Sequence, residues 1–364
     1  MPALSWDEAS AYDLFVSLYV LHRPEQFGLR PAWAAGVRSR LPAEQREFLE
    51  KAQSFLSVPL RWLYLMPAGS RLATDALSAL AHLPAIERLP SLSQTSPHTP
   101  DDTSELTATL HRISQRHSWN PAELEVIRTF YQRKGFAFKP AALLNLCQAW
   151  AHPVEFGEQF LTALTSYHQV FFAEEEQRIL PAIAEGGRHA RELAARLPVP
   201  DLLDELSRGV HFSDLAVLDR LTLVPSYWST PLVFYAYIQP GHMLVLYGCR
   251  SEDHHLVPGE STPAGLVDAL KAIADPSRLA ILRYLSEEPL TPSELARRLR
   301  LRPPTVTHHL NVLRLAGLVE ITLLPGAERC YAARNEALQQ VLGNLEDYLR
   351  APQLTGAAGD PPQA

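Results

Sequence analysis

The stretch "RPPTVTHHLNVLRLAGLVE", Arg302 to Glu320, is the most patterned piece of the chain. A brief turn, "LRP", leads into it, and Gly317 near its end is a C-terminal cap signal for a helix. With Val306 at zero and an advance of about 100° per residue, Leu310, Leu313 and Gly317 all fall within about 40° of it. They define the stripe such a helix buries. Pro304, His308 and Asn311 lie on the opposite side, with Thr307 and Arg314 on one flank. The outward face is therefore polar and able to hydrogen-bond. Neighbouring helical residues diverge by about 100°, so His308 and His309 cannot readily converge on one ion. His308 points outward, whereas His309 flanks the buried stripe as a half-buried residue.

The segments on either side extend the pattern. "PAGLVDALKAIA" reads as one short helix, and Asp275-Pro276 supplies the N-cap and first-turn proline of the next, "PSRLAILRYLS". "TPSELARRLR" follows, with Thr291 as N-cap, Pro292 at the first position and Glu294 three residues after the cap. After the quoted helix come "LVEITLL", the turn "PGAE" and "RCYAAR", a two-stranded hairpin, and then a last helix, "NEALQQVLGNLEDYLR". Two short helices joined by a tight turn and followed by a hairpin describe a winged helix-turn-helix, whose second helix is built to lie in a DNA major groove. Pro304, Thr305, Thr307, His308, Asn311 and Arg314 are the candidate contacts on that helix, with Thr305, Thr307 and His308 nearest the base edges. Ser293, Arg297, Arg298 and Arg302 around the turn, and Arg329 at the base of the wing, are candidate phosphate contacts.

"LKAIADPSRLAILRYL", "LTPSELARRLRLRPPTVTHHLNVLRLAGLV" and the wing "LPGAERCYAAR" together resemble the ArsR-type winged-helix transcriptional regulators. The resemblance covers about residues 265–340. It implies a homodimeric, sequence-specific, mostly repressing DNA-binding protein that dimerises through the first and last helices of the module. On the last helix Leu338, Val341, Leu342, Leu345, Tyr348 and Leu349 form the apolar seam for that role, the alternative being packing within the chain. Three departures stand out. "EEPLTPSELARR" lacks the Cys-x-Cys pair through which many such regulators sense metals, and the last helix holds no histidine, so both types of metal site are missing. Asn311 stands where relatives often carry lysine. Residues 1–250 exceed the family's minimal module and are similar only diffusely to the helical extensions of larger members.

Composition agrees with a contact module attached to something else. The chain of 364 residues has a net charge of −7 and 46% hydrophobic residues, enough for two or three packed domains. Residues 266–340 hold ten Lys/Arg against eight Asp/Glu, a net of +2, so the remainder carries −9. Between 291 and 314 five arginines face one glutamate. A local basic face on an acidic chain suits a dedicated anion contact and argues against coating nucleic acid along the whole length. Cys147, Cys249 and Cys330 stand far apart without a CxxC, which fits reduced thiols in a cytoplasm, each read as a buried small hydrophobe. No run of about 18 apolar residues exists and no secretory leader is evident, so the expectation is a cytoplasmic protein with no membrane partner.

The fold class expected is mainly α: a helical N-terminal region with a small antiparallel β-sheet, then the winged helix-turn-helix. Residues 1–250 form the first region, as a candidate sensor or dimerisation domain, with "RLPSLSQTSPHTPDDTS" (88–104) read as an exposed loop that splits it in two. Ser5 and Glu8 are read as a capping box ahead of "ASAYDLFVSLYVL", and a long amphipathic stretch is expected after Pro153. "LTLVPSYWSTPLVFYAYIQPGHMLVLYGCR" (221–250) reads as a hairpin turning at Pro240-Gly241. Residues 251–263 form a linker, 264–350 the winged helix and 351–364 a disordered tail.

No other constellation competes. His254-His255 with Glu252 and Asp253 are candidate metal ligands or an exposed polar loop, and the aromatics Tyr227, Trp228, Phe234, Tyr235 and Tyr237 are either core or a pocket lining. GxSxG, GxxxxGK[ST], GxGxxG after a strand and HExxH are all missing, so the expectation is no catalytic residues, no metal, no cofactor and no enzyme. A small-molecule effector acting through the N-terminal region remains open. The readings weighed against a DNA-binding regulator are a winged-helix scaffold that binds protein, and an N-terminal enzymatic or ligand-binding domain fused to a regulator.

Overall fold

Helix α1 (Ser10–Leu21) organises the N-terminal region. Its sequence SAYDLFVSLYVL is apolar on nearly every side, and eleven of its twelve residues are buried. A helix with no polar face has to lie inside. Around it the computed structural model, which describes residues 2–350 apart from 68–70, 94–99, 134–137, 214, 251–263 and 324–328, wraps the helices α2 (Pro31–Arg38), α3 (Ala43–Gln53), α4 (Leu60–Leu65), α5 (Ala73–His82) and α6 (Ala85–Leu92). Helices α7 (Pro100–Arg116), α8 (Pro121–Arg133) and α9 (Pro140–Ala151) add a satellite core built on Leu110, Ile113, Ile127 and Leu143. Helix α10 (Pro153–Tyr167) runs through a π-helical turn into α11 (Ala173–Ala194), and α12 (Val199–Ser207) follows.

The sheet of this region corrects one expectation. Strands β1 (Ala3–Trp6), β3 (Arg220–Ser226), β4 (Phe234–Gln239) and β5 (His242–Gly248) stand in the order β1-β3-β5-β4. The expected hairpin is present as β4 and β5, turning at Pro240-Gly241 with Gly241 at φ +75°. Yet β1 and β5 both run parallel to β3, so the sheet is mixed rather than antiparallel. The near-continuous burial of β3 and β5 is the pattern of strands covered on both faces, which parallel sheets require.

Two further expectations change. Ser5 lies in β1 with its Oγ 2.8 Å from the Thr222 Oγ1, and Glu8 pairs with Arg191, so these residues form no capping box. Residues 88–93 and 100–104 belong largely to α6 and α7 rather than to a loop, leaving 94–99 outside the described residues. Packing overrides the polar composition here. The buried Arg88 donates to the carbonyls of Leu80, Leu83 and Gly157, and a Cβ at Gly157 would sit 2.1 Å from the Ala85 carbonyl oxygen. Glycine lets α6 and α10 touch.

A half-buried histidine gives this region a pH dependence. His22 Nδ1 lies 2.7 Å from the Leu18 carbonyl, while its Nε2 is buried without a partner among the described residues. Protonation would place a second N–H where nothing accepts it, and burial lowers the pKa from 6.5 to about 4. Because the folded-state value is depressed, the stability from neutral His22 is present above about pH 6.5 and is lost as pH falls toward 4. The wild-type advantage over His22→Gln, followed by urea unfolding, should therefore shrink by about 2–3 kcal/mol between pH 7 and pH 4.

The C-terminal part comprises α13 (Ala264–Ile273), α14 (Pro276–Glu287), α15 (Pro292–Leu299), α16 (Pro303–Leu315), β6 (Val319–Leu323), β7 (Arg329–Ala333) and α17 (Asn335–Arg350). It has its own core, in which Ile281, Leu295, Val306, Leu310 and Leu313 are fully enclosed. The wing does not stand alone. A third strand, β2 (Val210–Phe212), comes from the N-terminal region and pairs in parallel with β6 to give the order β2-β6-β7. The linker and tail assigned to 251–263 and 351–364 lie outside the described residues.

Candidate nucleic-acid interface

Local sequence sets each helix of the C-terminal part. Asp275 caps α14 by accepting from the Arg278 amide at 3.0 Å, which holds its carboxyl below the usual range. Thr291 and Glu294 form a full capping box at the head of α15. Arg300 closes α15 in the left-handed region at φ 54°, and the chain turns directly into α16 at Pro303. Gly317, at φ +70°, ends the segment with Leu318 N–H bonded back to the Leu313 carbonyl at 3.0 Å.

Helix α16 divides by face. Val306, Leu310 and Leu313 are fully buried, while Pro304, Thr305, Thr307, His308 and Asn311 are exposed. Thr307 Oγ1 donates to the Pro303 carbonyl at 3.0 Å, so its outward oxygen is an acceptor beside a methyl group. His309 is half-buried, with Nδ1 4.0 Å from Asp275 Oδ1, and burial lowers its pKa. It packs α16 toward α14. Arg297, Arg302, Ser293 and Arg329 are exposed around this face. Arg298 is partly committed within the fold, pairing with Glu288 at 2.7 Å over the Tyr284 ring.

One candidate contact is corrected. Arg314 is buried, not presented on the flank: its guanidinium donates to the carbonyls of Ser207, at 2.9 Å, and Arg208. These are the C-terminal carbonyls of α12, which have no partners within their own helix. Burial lowers the Arg314 pKa to about 10, leaving it charged at neutral pH. Arg334 reaches the same Arg208 carbonyl at 3.4 Å, and His211 on β2 lies 3.3 Å from Glu320 on β6. Together with β2 these contacts fix the N-terminal region to the wing. The turn Pro24–Phe27 also lies alongside α16, and Leu315, outward by helical phase, is half-buried.

The proposed seam on α17 also splits. Val341 belongs to the module's own core, with Leu338 and Leu345 packed against it, whereas Leu342 and Leu349 are 59% and 73% exposed. These two, with the exposed Tyr348, are open to meet another surface.

A family model described as a helix-turn-helix domain matches residues 273–322. This segment is a helix-turn-helix domain. The helix-turn-helix domain is similar to the HTH-type transcriptional regulator NmtR of Mycobacterium tuberculosis, at 38% identity over 74 residues, covering 18% of this chain and 62% of that protein. It is also similar to the uncharacterized HTH-type transcriptional regulator MJ1325 of Methanocaldococcus jannaschii, at 39% identity over 54 residues, covering 15% of this chain and 61% of that protein. The chain thus spans about three fifths of the length of these curated relatives. The crystal structure of NolR from Sinorhizobium fredii matches at 27% identity over 27% of this chain and 99% of that chain, with a TM-score of 0.21.

No group of three or more His, Cys, Asp or Glu side chains among the described residues could hold a metal ion, and His254 and His255 lie outside them. No described helix is long and apolar enough to cross a membrane. Tyr227 and Trp228 are fully buried and belong to the core.

Proposed function

We propose that the chain is a sequence-specific regulator of transcription that binds double-stranded DNA as a homodimer, acting as a repressor on an inverted repeat. The observation that carries this reading is the division of α16, with Pro304, Thr305, Thr307, His308 and Asn311 exposed over a fully buried stripe inside a helix-turn-helix domain. Thr305, Thr307 and His308 read base edges, and Arg297, Arg302, Ser293 and Arg329 hold phosphates. A second copy covers Leu342 and Leu349. ArsR-type ancestry, a cytoplasmic setting and the lack of an enzymatic role belong to the same reading. The N-terminal region, tied to the wing by β2 and Arg314, sets how α16 meets DNA and transmits the state of an effector. Duplex affinity of the full chain, measured from 50 to 200 mM salt, tests the reading. It should fall by about 10³-fold or more if six or more phosphates are neutralised. A winged helix that binds protein instead would show no such affinity.

A further inference from the structure

A cleft of about 460 Å³ opens between α3 and α10, with α9 at one end. That is within the size range of small-molecule sites. Its floor is aromatic: the Phe156 ring lies 5.3 Å from Phe48 and 6.0 Å from Phe55. Its rim is acidic, with Glu44 and Glu47 on α3 and Glu155 and Glu158 on α10, and Lys51 is the only lysine or arginine on the wall. Glu158 is partly neutralised by Arg88 at 3.2 Å, and Glu155 accepts from Gln159 at 3.3 Å. Glu44 and Glu47 hold no ion pair among the described residues, and all four glutamates are exposed. Gln45 stands in the same wall, its Oε1 buried without a donor among the described residues.

We propose that this cleft binds an organic cation, a protonated amine carried on an aromatic body. The aromatic side chains lining the cleft favour a positive charge through their quadrupoles and shelter the apolar body, while the carboxylates at the rim add Coulomb attraction. The same rim repels an organic anion of equal shape. Charge, not apolar area alone, therefore selects the ligand. Neither half of the cleft shows this alone, because Phe48 and Phe156 sit about 110 residues apart on helices that each read as ordinary amphipathic segments. The inference does not rest on the DNA-binding reading, and either can fail without the other.

Three probes share one ring system: 1-naphthylmethylamine (cationic at pH 7), 1-naphthalenemethanol (neutral) and 1-naphthoate (anionic). Equilibrium dialysis of each against the full-length chain at fixed ionic strength should rank them cation, alcohol, anion, with the cation about tenfold tighter than the alcohol. Glu44→Gln with Glu47→Gln, both exposed and so neutral to the fold, should bring cation and alcohol within about twofold of each other. Phe48→Leu, which keeps an apolar side chain but removes the ring, should weaken the cation more than the alcohol. Equal binding by all three probes, no binding by the cation, or a cation preference untouched by the double glutamine variant would each overturn the proposal.

Discussion

Arg314→Ala is expected to lower the unfolding free energy by about 3–4 kcal/mol, a loss visible as a shift in the urea midpoint of the full chain. The side chain is 5% exposed and spans the junction between α16 and the end of α12. Removing it leaves the Ser207 carbonyl without its donor in a largely enclosed site, at a cost of about 1–3 kcal/mol, leaves the Arg208 carbonyl only the longer bond from Arg334, and deletes the packing of the buried stem. The positive charge also opposes the partial negative charge at the C-terminal end of α12, which adds to the loss. Arg314→Lys should fall between the two, because an ammonium is a point donor and does not reproduce a fork aimed at two carbonyls. An arginine on the surface whose only task is a phosphate would behave differently, leaving stability within about 0.5 kcal/mol when replaced.

The second large effect is on DNA. Thr307→Ala combined with His308→Ala should reduce affinity for the specific site by about 100-fold or more, since each good base contact is worth about 1–3 kcal/mol. Affinity for unrelated duplex should change little, because the phosphate contacts proposed for Arg297 and Arg302 would remain. Both side chains are exposed, and the one internal bond lost, from Thr307 Oγ1 to the Pro303 carbonyl, lies within a single turn. The midpoint of unfolding should therefore match wild type, which separates a readout defect from a folding defect.

These two residues and Arg314 also mark what the sequence could and could not disclose. The burial of Val306, Leu310 and Leu313 and the exposure of His308 follow from helical phase alone, and the caps at Asp275 and Thr291 are local to their helices. Arg314 sits at the edge of the stripe, about 80° from Val306, where phase does not decide between solvent and interior. What decides it is the end of α12, more than 100 residues earlier, and no local signal announces that partner. The same holds for β2, three residues long, whose pairing with β6 joins segments on either side of residues 251–263. Strand direction was equally hidden: alternation and apolar runs mark β3 and β5 as strands, but the parallel pairing of β1 with β3 depends on where α1 carries the chain. On α17 the apolar residues were legible, but their division between the module's own core and an open face depends on how α13 and α17 meet.

The central claim, that α16 reads DNA sequence, is tested most directly by capturing genomic fragments with the full-length protein and repeating the capture with the Thr307→Ala, His308→Ala variant. The account predicts that wild type enriches a small set of fragments sharing an inverted repeat, with half-sites about one helical turn apart, and that the variant loses this enrichment while remaining folded. Enrichment of the same repeat by both proteins, or no sequence preference by wild type, would contradict it.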